Sequence, residues 1–506
     1  MQRGTALVAA FVLTLTLAAC SGDDDDSADS DSSSDTAAAD EPGGDAGDAS
    51  VEDVGTTTIA ASESGDLRIE STSTRAALVS DGDVLVTVSG EAAADASVTR
   101  NGDDVTAAFS LAGGVMRGVV DDLDDGENVI EAAAGDHTVA ITVTNHPKNG
   151  PVFSGPHLEP WVCTTEDHGL GAPLDDDCDA ETKTTWSYVS TDGSTKDLAD
   201  PAALADDIAT TTIDDVEVPF VIRTEQGVID RGVYWIWVLD PEPSVDHEWS
   251  ASAWNERLVY RFGGGCGTSY SQGAPLGAGI DIDLIGRGYA LATNTLDTFQ
   301  SNCNATLSAE AALMTREHFI EDYGVPEFTI GDGGSGGAIQ QLLIAHNYPG
   351  LLDGLSPSVP FPDAISISGG VSDCGLLQEY YGTEFGTALT DVQKVAINGH
   401  MTLGTCQMWV NLFLGAIEPF AGCDGSLADE VYDPETNPDG VRCTLADINV
   451  NVLGEDPDTG FAYRPLDNVG VQYGLDAVNA GTITVDQFLD LNEYVGGWDI
   501  DGNVVA

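Results

Sequence analysis

The sequence predicts a doubly wound α/β unit with a helical cap, preceded by a small all-β domain. Three observations predict it. From about residue 216 onward, strand-like apolar runs alternate with helical ones, the pattern of parallel strands joined by crossover helices. Before residue 146 the apolar runs are short, alternate with period two and show no helical spacing. Hydrophobic residues make up 42% of 506, enough for a large core, and the length allows several structural units.

The first twenty residues predict an address rather than a fold. Met1–Arg3 is a short positive start, and Ala6–Leu17 is apolar but too short to span a bilayer comfortably. It ends in Leu17-Ala18-Ala19-Cys20, which resembles a bacterial lipoprotein signal. That resemblance implies cleavage before Cys20 and lipidation of its thiol. Residues 21–56 then read as a tether. Ser21–Asp53 contains 13 acids and no base among Ser, Ala and Gly, so it buries little and repels itself. The expected location is the extracytoplasmic face of the cell envelope, with the membrane reached through the lipid on Cys20. No other segment is long and apolar enough for a membrane-spanning helix.

Residues 57–146 predict a β-sandwich of immunoglobulin-like type. Leu67–Ser71, Val84–Ser89, Ser97–Arg100 and His137–Thr144 are strand-like, with turns at Asp81-Gly82, Asn101-Gly102, Gly113-Gly114 and Asp125-Gly126. No catalytic grouping occurs here.

Residues 150–506 carry the α/β pattern. Val216–Arg223, Gly232–Leu239, Leu258–Phe262, Tyr289–Thr293, Phe328–Ile330 and Leu352–Val359 read as strands. Ser308–Tyr323 and Ala338–Asn347 read as helices, the first starting at Ser308. A cap region of about 361–506 follows, with helices expected over Asp373–Tyr381, Asp391–Ile397, Gln407–Ile417 and Asp486–Tyr494.

Composition excludes some functions. Asp+Glu number 85 against 17 Lys+Arg, a net charge of −68, so no basic patch exists to neutralise nucleic-acid phosphates. Beyond Cys20 there are eight cysteines, an even number that suggests disulfides in an exported chain. Sequence does not fix their connectivity. Nearest-neighbour pairing gives Cys163–Cys178, Cys266–Cys303, Cys374–Cys406 and Cys423–Cys443. No C-x-x-C zinc pattern is present. Asp499-Ile500-Asp501-Gly502-Asn503 holds only part of a calcium loop, so neither metal nor cofactor is expected.

The chemistry centres on Gly333-Gly334-Ser335-Gly336-Gly337, between a strand and a helix. This matches the G-x-S-x-G nucleophile elbow and resembles the α/β-hydrolases. The resemblance implies Ser335 as nucleophile, with the Gly336 N–H donating to the oxyanion. A second donor would come from Gly263–Gly265, with Gly265 the residue of choice. The absent Lys and Ser/Thr argue against a phosphate loop. Residues 330–360, with Tyr348-Pro349 and Asp353-Gly354, are locally similar to tannases and feruloyl esterases. The residue directly before Ser335 is Gly334 and not a cysteine, unlike the disulfide-linked triad of tannases. Residues from about 150 to 506 resemble an uncharacterised secreted bacterial hydrolase-like family known as a domain of unknown function. The matches are Gly155-Pro156, Pro160-Trp161-Val162-Cys163, Gly263–Gly267, Gly331–Gly337 and Asp467–Gly474. Hydrolysis of a small or polymeric carboxylic ester through an acyl-enzyme is the implied activity. The alternatives are a catalytically inactive binding protein and a peptidase or amidase on the same scaffold.

The general base is the open position. Only His346 and His400 follow Ser335, and His346, eleven residues along the same helix, stands ~16 Å away. His400 is the remaining candidate base, with Asp363 and Asp373 as candidate acids by position. Two further strands and a histidine are expected for this fold, so the acid and base are expected in a segment beyond residue 506.

Overall fold

The computed structural model describes residues 61–64, 66–245, 249–274 and 280–505. The expected signal at residues 1–20, with Cys20, and the expected tether at residues 21–56 lie outside the described residues.

Residues 61–146 form two five-stranded sheets. One runs in the order 61–64, 67–71, 84–89, 115–120, 110–112, and the other in the order 79–80, 137–146, 126–134, 97–100, 103–104. Period-two alternation turns one face of each sheet inward, so Ile69, Val86, Val98, Ile130 and Ile141 share a core. Asn101-Gly102, with φ of 51° and 94°, makes the two-residue turn its sequence signals. The module sits on a long helix of the main body: Ser80 N–H and Oγ both donate to the Glu317 carboxylate, at 3.2 and 2.5 Å.

The main body is an eight-stranded sheet. Its strands are β1 (Lys183–Val189), β2 (Thr195–Asp197), β3 (Val221–Ile229), β4 (Gly232–Leu239), β5 (Arg257–Arg261), β6 (Ala290–Asn294), β7 (Phe328–Gly334) and β8 (Gly354–Ser358). Their order is β2-β1-β3-β4-β6-β5-β7-β8. The all-parallel expectation is corrected. β6, β5, β7 and β8 are parallel, but β4 runs antiparallel to β6, and β1 to β4 pair antiparallel. The cause is the turn at Asp230-Arg231, where two non-glycine residues at φ 54° and 59° fold β3 and β4 into a hairpin. The expected strand Val216–Arg223 also divides. Val216–Pro219 pairs with Thr210–Ile213 outside the sheet, and β3 begins at Val221.

Helix α1 (Ala305–Tyr323) covers one face of the sheet. Its Ala309, Ala312, Phe319 and Ile320 pack on Tyr234, Ile236, Leu258 and Tyr260. It starts at Asn304, whose side chain accepts the N–H groups of Thr306 and Leu307, and not at Ser308, which is buried inside it. Helix α2 (Gly336–Asn347) follows β7 directly. β8 is the outer strand, with Leu355–Ser358 exposed, and among the described residues no strand pairs with its far edge.

The cap contains α3 (Ala364–Tyr381), α4 (Asp391–Asn398), α5 (Leu403–Phe413) and α6 (Val485–Tyr494). Thr390/Gln393 and Thr484/Gln487 form capping boxes at α4 and α6. The four disulfides are Cys163–Cys178, Cys266–Cys303, Cys374–Cys406 and Cys423–Cys443. Among the described residues, no helix is long and apolar enough to cross a membrane.

Candidate active site

The strand–glycine–serine–glycine–helix sequence bends the chain sharply at Ser335, with φ 56° and ψ −117°. A side chain rarely takes that conformation, and it costs ~1–3 kcal/mol where surrounding structure enforces it. The enforcement is visible. Ser335 N–H donates to Ser358 O at 3.0 Å. Gln341 Nε2 donates to Gly333 O at 3.1 Å and Gly337 O at 2.9 Å, while its Oε1 accepts Ser356 N–H at 3.0 Å. Glycine is required on both sides of the serine: a Cβ at Gly333 would collide with Phe262 O, and one at Gly336 with Gly265 O.

The glycine loop after β5 lies over the elbow. The position of a Cβ on Gly264 is 3.7 Å from Ser335 Cβ and 3.9 Å from Gly336 N. Gly263 N–H is taken by Asp297 O and Gly267 N–H by Phe299 O. Among the described residues the N–H groups between them have no backbone acceptor. The first N–H groups of α2 lack intrahelical acceptors as well, and the helix dipole adds positive potential there. Ser335, Gly336 and Gly265 are therefore brought together as expected, with Gly264 closest to the serine. Cys266–Cys303 ties this loop to the start of α1. A negative charge developing on an oxygen beside Ser335 would meet fixed backbone dipoles here.

A buried chain of polar side chains holds the loop, and it was not legible in sequence. Gln340 Nε2 donates to Gly263 O at 2.8 Å. Ser308 Oγ lies 2.7 Å from Gln340 Oε1 and 3.0 Å from Asp297 Oδ1, and Tyr260 O–H donates to Asp297 Oδ2 at 2.5 Å. Ser308 has one proton for two acceptors. Burial pushes the Asp297 carboxyl up, the hydrogen bonds from Tyr260 and Ser308 pull it back, and the result is about 8. Only the N-cap-like position of Ser308 hinted at a role.

Ser335 opens into a cavity of about 50 Å³ lined mainly by cap residues, among them Phe361, Ile367, Val371 and Phe413. A larger cleft of about 1170 Å³ lies between His157–Pro160 and cap segments, rich in acids such as Asp429, Glu430 and Glu455. The smaller cavity is the one that contains Ser335 and the end of the glycine loop, Gly265 and Cys266.

The expected partners of Ser335 are not gathered around it. His400 packs against the Cys374–Cys406 disulfide, its Nε2 3.8 Å from Cys374 Sγ, and is not among the residues lining the cavity. It sits there because Gly399, at φ 68°, ends α4 and turns the chain toward α5. Asp363 caps α3 by accepting Ser366 N–H at 2.6 Å, and Asp373 accepts Tyr473 O–H at 2.6 Å. Among the described residues the cavity walls carry no histidine and no carboxylate.

Two side-chain groups have metal-like spacing. Cys374, His400 and Cys406 form one, but both sulfurs are in the disulfide and offer no thiolate. Glu225, His318 and Asp322 form the other. There Glu225 already accepts from His318 at 2.8 Å, Tyr323 at 2.7 Å and Tyr234 at 3.0 Å. Burial alone would raise the Glu225 carboxyl, but the hydrogen bond and charge of His318 outweigh it and hold it at about 2. Both groups read as structural. The Asp499 carboxylate likewise accepts the N–H groups of Asp501 and Asn503 within its own turn.

Among solved structures, an esterase from Aspergillus oryzae is 12% identical over 64% of this chain and 64% of its own, with a TM-score of 0.25. Tannin acyl hydrolase from Aspergillus niger is 13% identical over 66% of this chain and 69% of its own, also at a TM-score of 0.25. This chain thus spans just under two thirds of the Aspergillus oryzae esterase. No curated protein matches it. Residues 69–506 match the tannase-like family of unknown function (DUF6351). That match runs from the first sheet through the cap, and the chain belongs to this family.

Proposed function

We propose that the protein is a serine ester hydrolase of α/β-hydrolase type. Ser335 Oγ attacks the ester carbonyl, and the Gly336 N–H and the Gly264–Gly265 loop receive the oxyanion. The C–O bond to the alcohol breaks, the alcohol departs with the proton, and water then releases the acid from Ser335. One such donor is worth ~3 kcal/mol of transition-state stabilisation. The observation that carries this reading is Ser335 itself, held at φ 56° between the glycine loop and an apolar cavity. The test is hydrolysis of a p-nitrophenyl ester panel. Activity lost in Ser335→Ala at an unchanged melting temperature supports the reading, and activity retained in that variant overturns it.

One observation favours a second reading, a binding protein that keeps the cavity without turnover: among the described residues the cavity walls hold no imidazole to take the serine proton. Under that reading Ser335→Ala leaves ligand binding intact and no ester is turned over.

The same proposal places the protein on the outer face of the membrane. Residues 1–20 act as the signal, the lipid on Cys20 as anchor, residues 21–56 as tether and residues 57–146 as a spacer domain. Fractionation of Cys20→Ala checks this. Release from membranes or blocked maturation is expected, and a wild-type protein found wholly in the medium contradicts it.

A further inference from the structure

The walls of the cavity at Ser335 specify what fills it. Phe361, Ile367, Val371, Phe413, Ile417 and Leu445 supply apolar surface. Trp409 braces both phenylalanines, with ring centroids 5.8 Å from Phe361 and 5.4 Å from Phe413. Apart from Ser335, the one side-chain hydroxyl is Ser368, which donates to Ile365 O at 2.6 Å within its own helix. Cys266 presents a disulfide sulfur. Among the described residues no charged side chain lines the space. A hydroxyl brought in would leave water and find no donor–acceptor pair, which disfavours each such group. A methylene gains by leaving water.

Size adds a second limit. The space at Ser335 is about 50 Å³, against about 1170 Å³ for the acidic cleft, so it suits a compact group.

We propose that this cavity is the acyl subsite of the Ser335 reaction, taking a compact apolar acyl group and rejecting long chains and polyhydroxylated aromatic acids. The proposal rests on Ser335 being the nucleophile. The alcohol portion of the ester then lies outside the cavity.

The experiment uses ethyl p-nitrophenyl phosphonates bearing methyl, propyl, octyl or trihydroxyphenyl groups on phosphorus. The Ser335 Oγ–P bond forms, the P–O bond to p-nitrophenolate breaks, and intact mass with peptide mapping reads the rate. The propyl compound is expected to modify Ser335 at least tenfold faster than the octyl and trihydroxyphenyl compounds. A ratio below tenfold against either one overturns the acyl-group assignment while leaving the nucleophile standing. No modification by any compound overturns the nucleophile reading, and the subsite with it. Phe413→Ala is expected to raise the octyl-to-propyl ratio tenfold, with Ile367→Ala as the second variant should the first fail to fold. An unchanged ratio in the folded variant places the acyl group elsewhere.

Discussion

Replacing Ser335 by glycine should stabilise the protein while removing the proposed nucleophile. Ser335 sits at φ 56° and ψ −117°, outside the small left-handed well that side chains tolerate. Such a conformation costs ~1–3 kcal/mol, and glycine adopts it freely. Glycine also enlarges the conformational freedom of the unfolded chain, which offsets ~0.5–1 kcal/mol of the gain. The Ser335 side chain caps no helix N–H, so deletion forfeits no capping bond. The net expectation is ~1 kcal/mol of stabilisation. At ~2.1 cal/mol/K per residue over roughly 350 residues, that raises the melting temperature by ~1–1.5 °C. Ser335→Ala keeps a Cβ and should melt with the wild type. Scanning calorimetry of the three proteins side by side is the assay. A glycine variant that melts below the wild type, or an alanine variant stabilised as much as the glycine one, would refute the claim that the elbow stores strain.

Other outcomes follow from the supports of the site. Removing Cys266–Cys303, which closes 37 residues, should cost ~2–4 kcal/mol, read by denaturant titration of the double serine variant. Asp297, raised to about 8, binds its proton more tightly folded than unfolded, so its contribution is full below its unfolded value near 4 and fades as pH rises toward 8. Asp297→Asn should flatten that decline, and stability curves from pH 5 to 9 that match the wild type would contradict it. Glu225, held at about 2, behaves oppositely: its contribution is present above its unfolded value near 4.5 and is lost as pH falls toward 2. His318→Ala should therefore lower stability at pH 7 more than at pH 2 and so flatten the acid decline, measured by melting from pH 2 to 7.

The elbow was legible because its signal is local and redundant: a strand, four glycines around one serine, and a helix. The disulfides follow nearest-neighbour pairing because each closes a short loop. β1 and β2 escaped notice because Lys183–Val189 and Thr195–Asp197 are rich in threonine, serine and charge, and pair at one side of the sheet where few positions need be apolar. The β3–β4 hairpin was hidden because Asp230-Arg231 lacks the Asn-Gly signal of such turns. The start of α1 was misplaced because Asn304 and Ser308 are both capping residue types, and only tertiary packing buries Ser308 against Asp297 and Gln340. His400 was a candidate by chain order alone, and order says nothing of which side chains a cap brings to the sheet.

The central claim is that Ser335 is a nucleophile. Incubating the folded protein with a fluorophosphonate and mapping the adduct by mass spectrometry tests it most directly. The account predicts one adduct, on the peptide containing Ser335, absent in Ser335→Ala. Folded protein that stays unmodified, or an adduct that survives in Ser335→Ala, would contradict it.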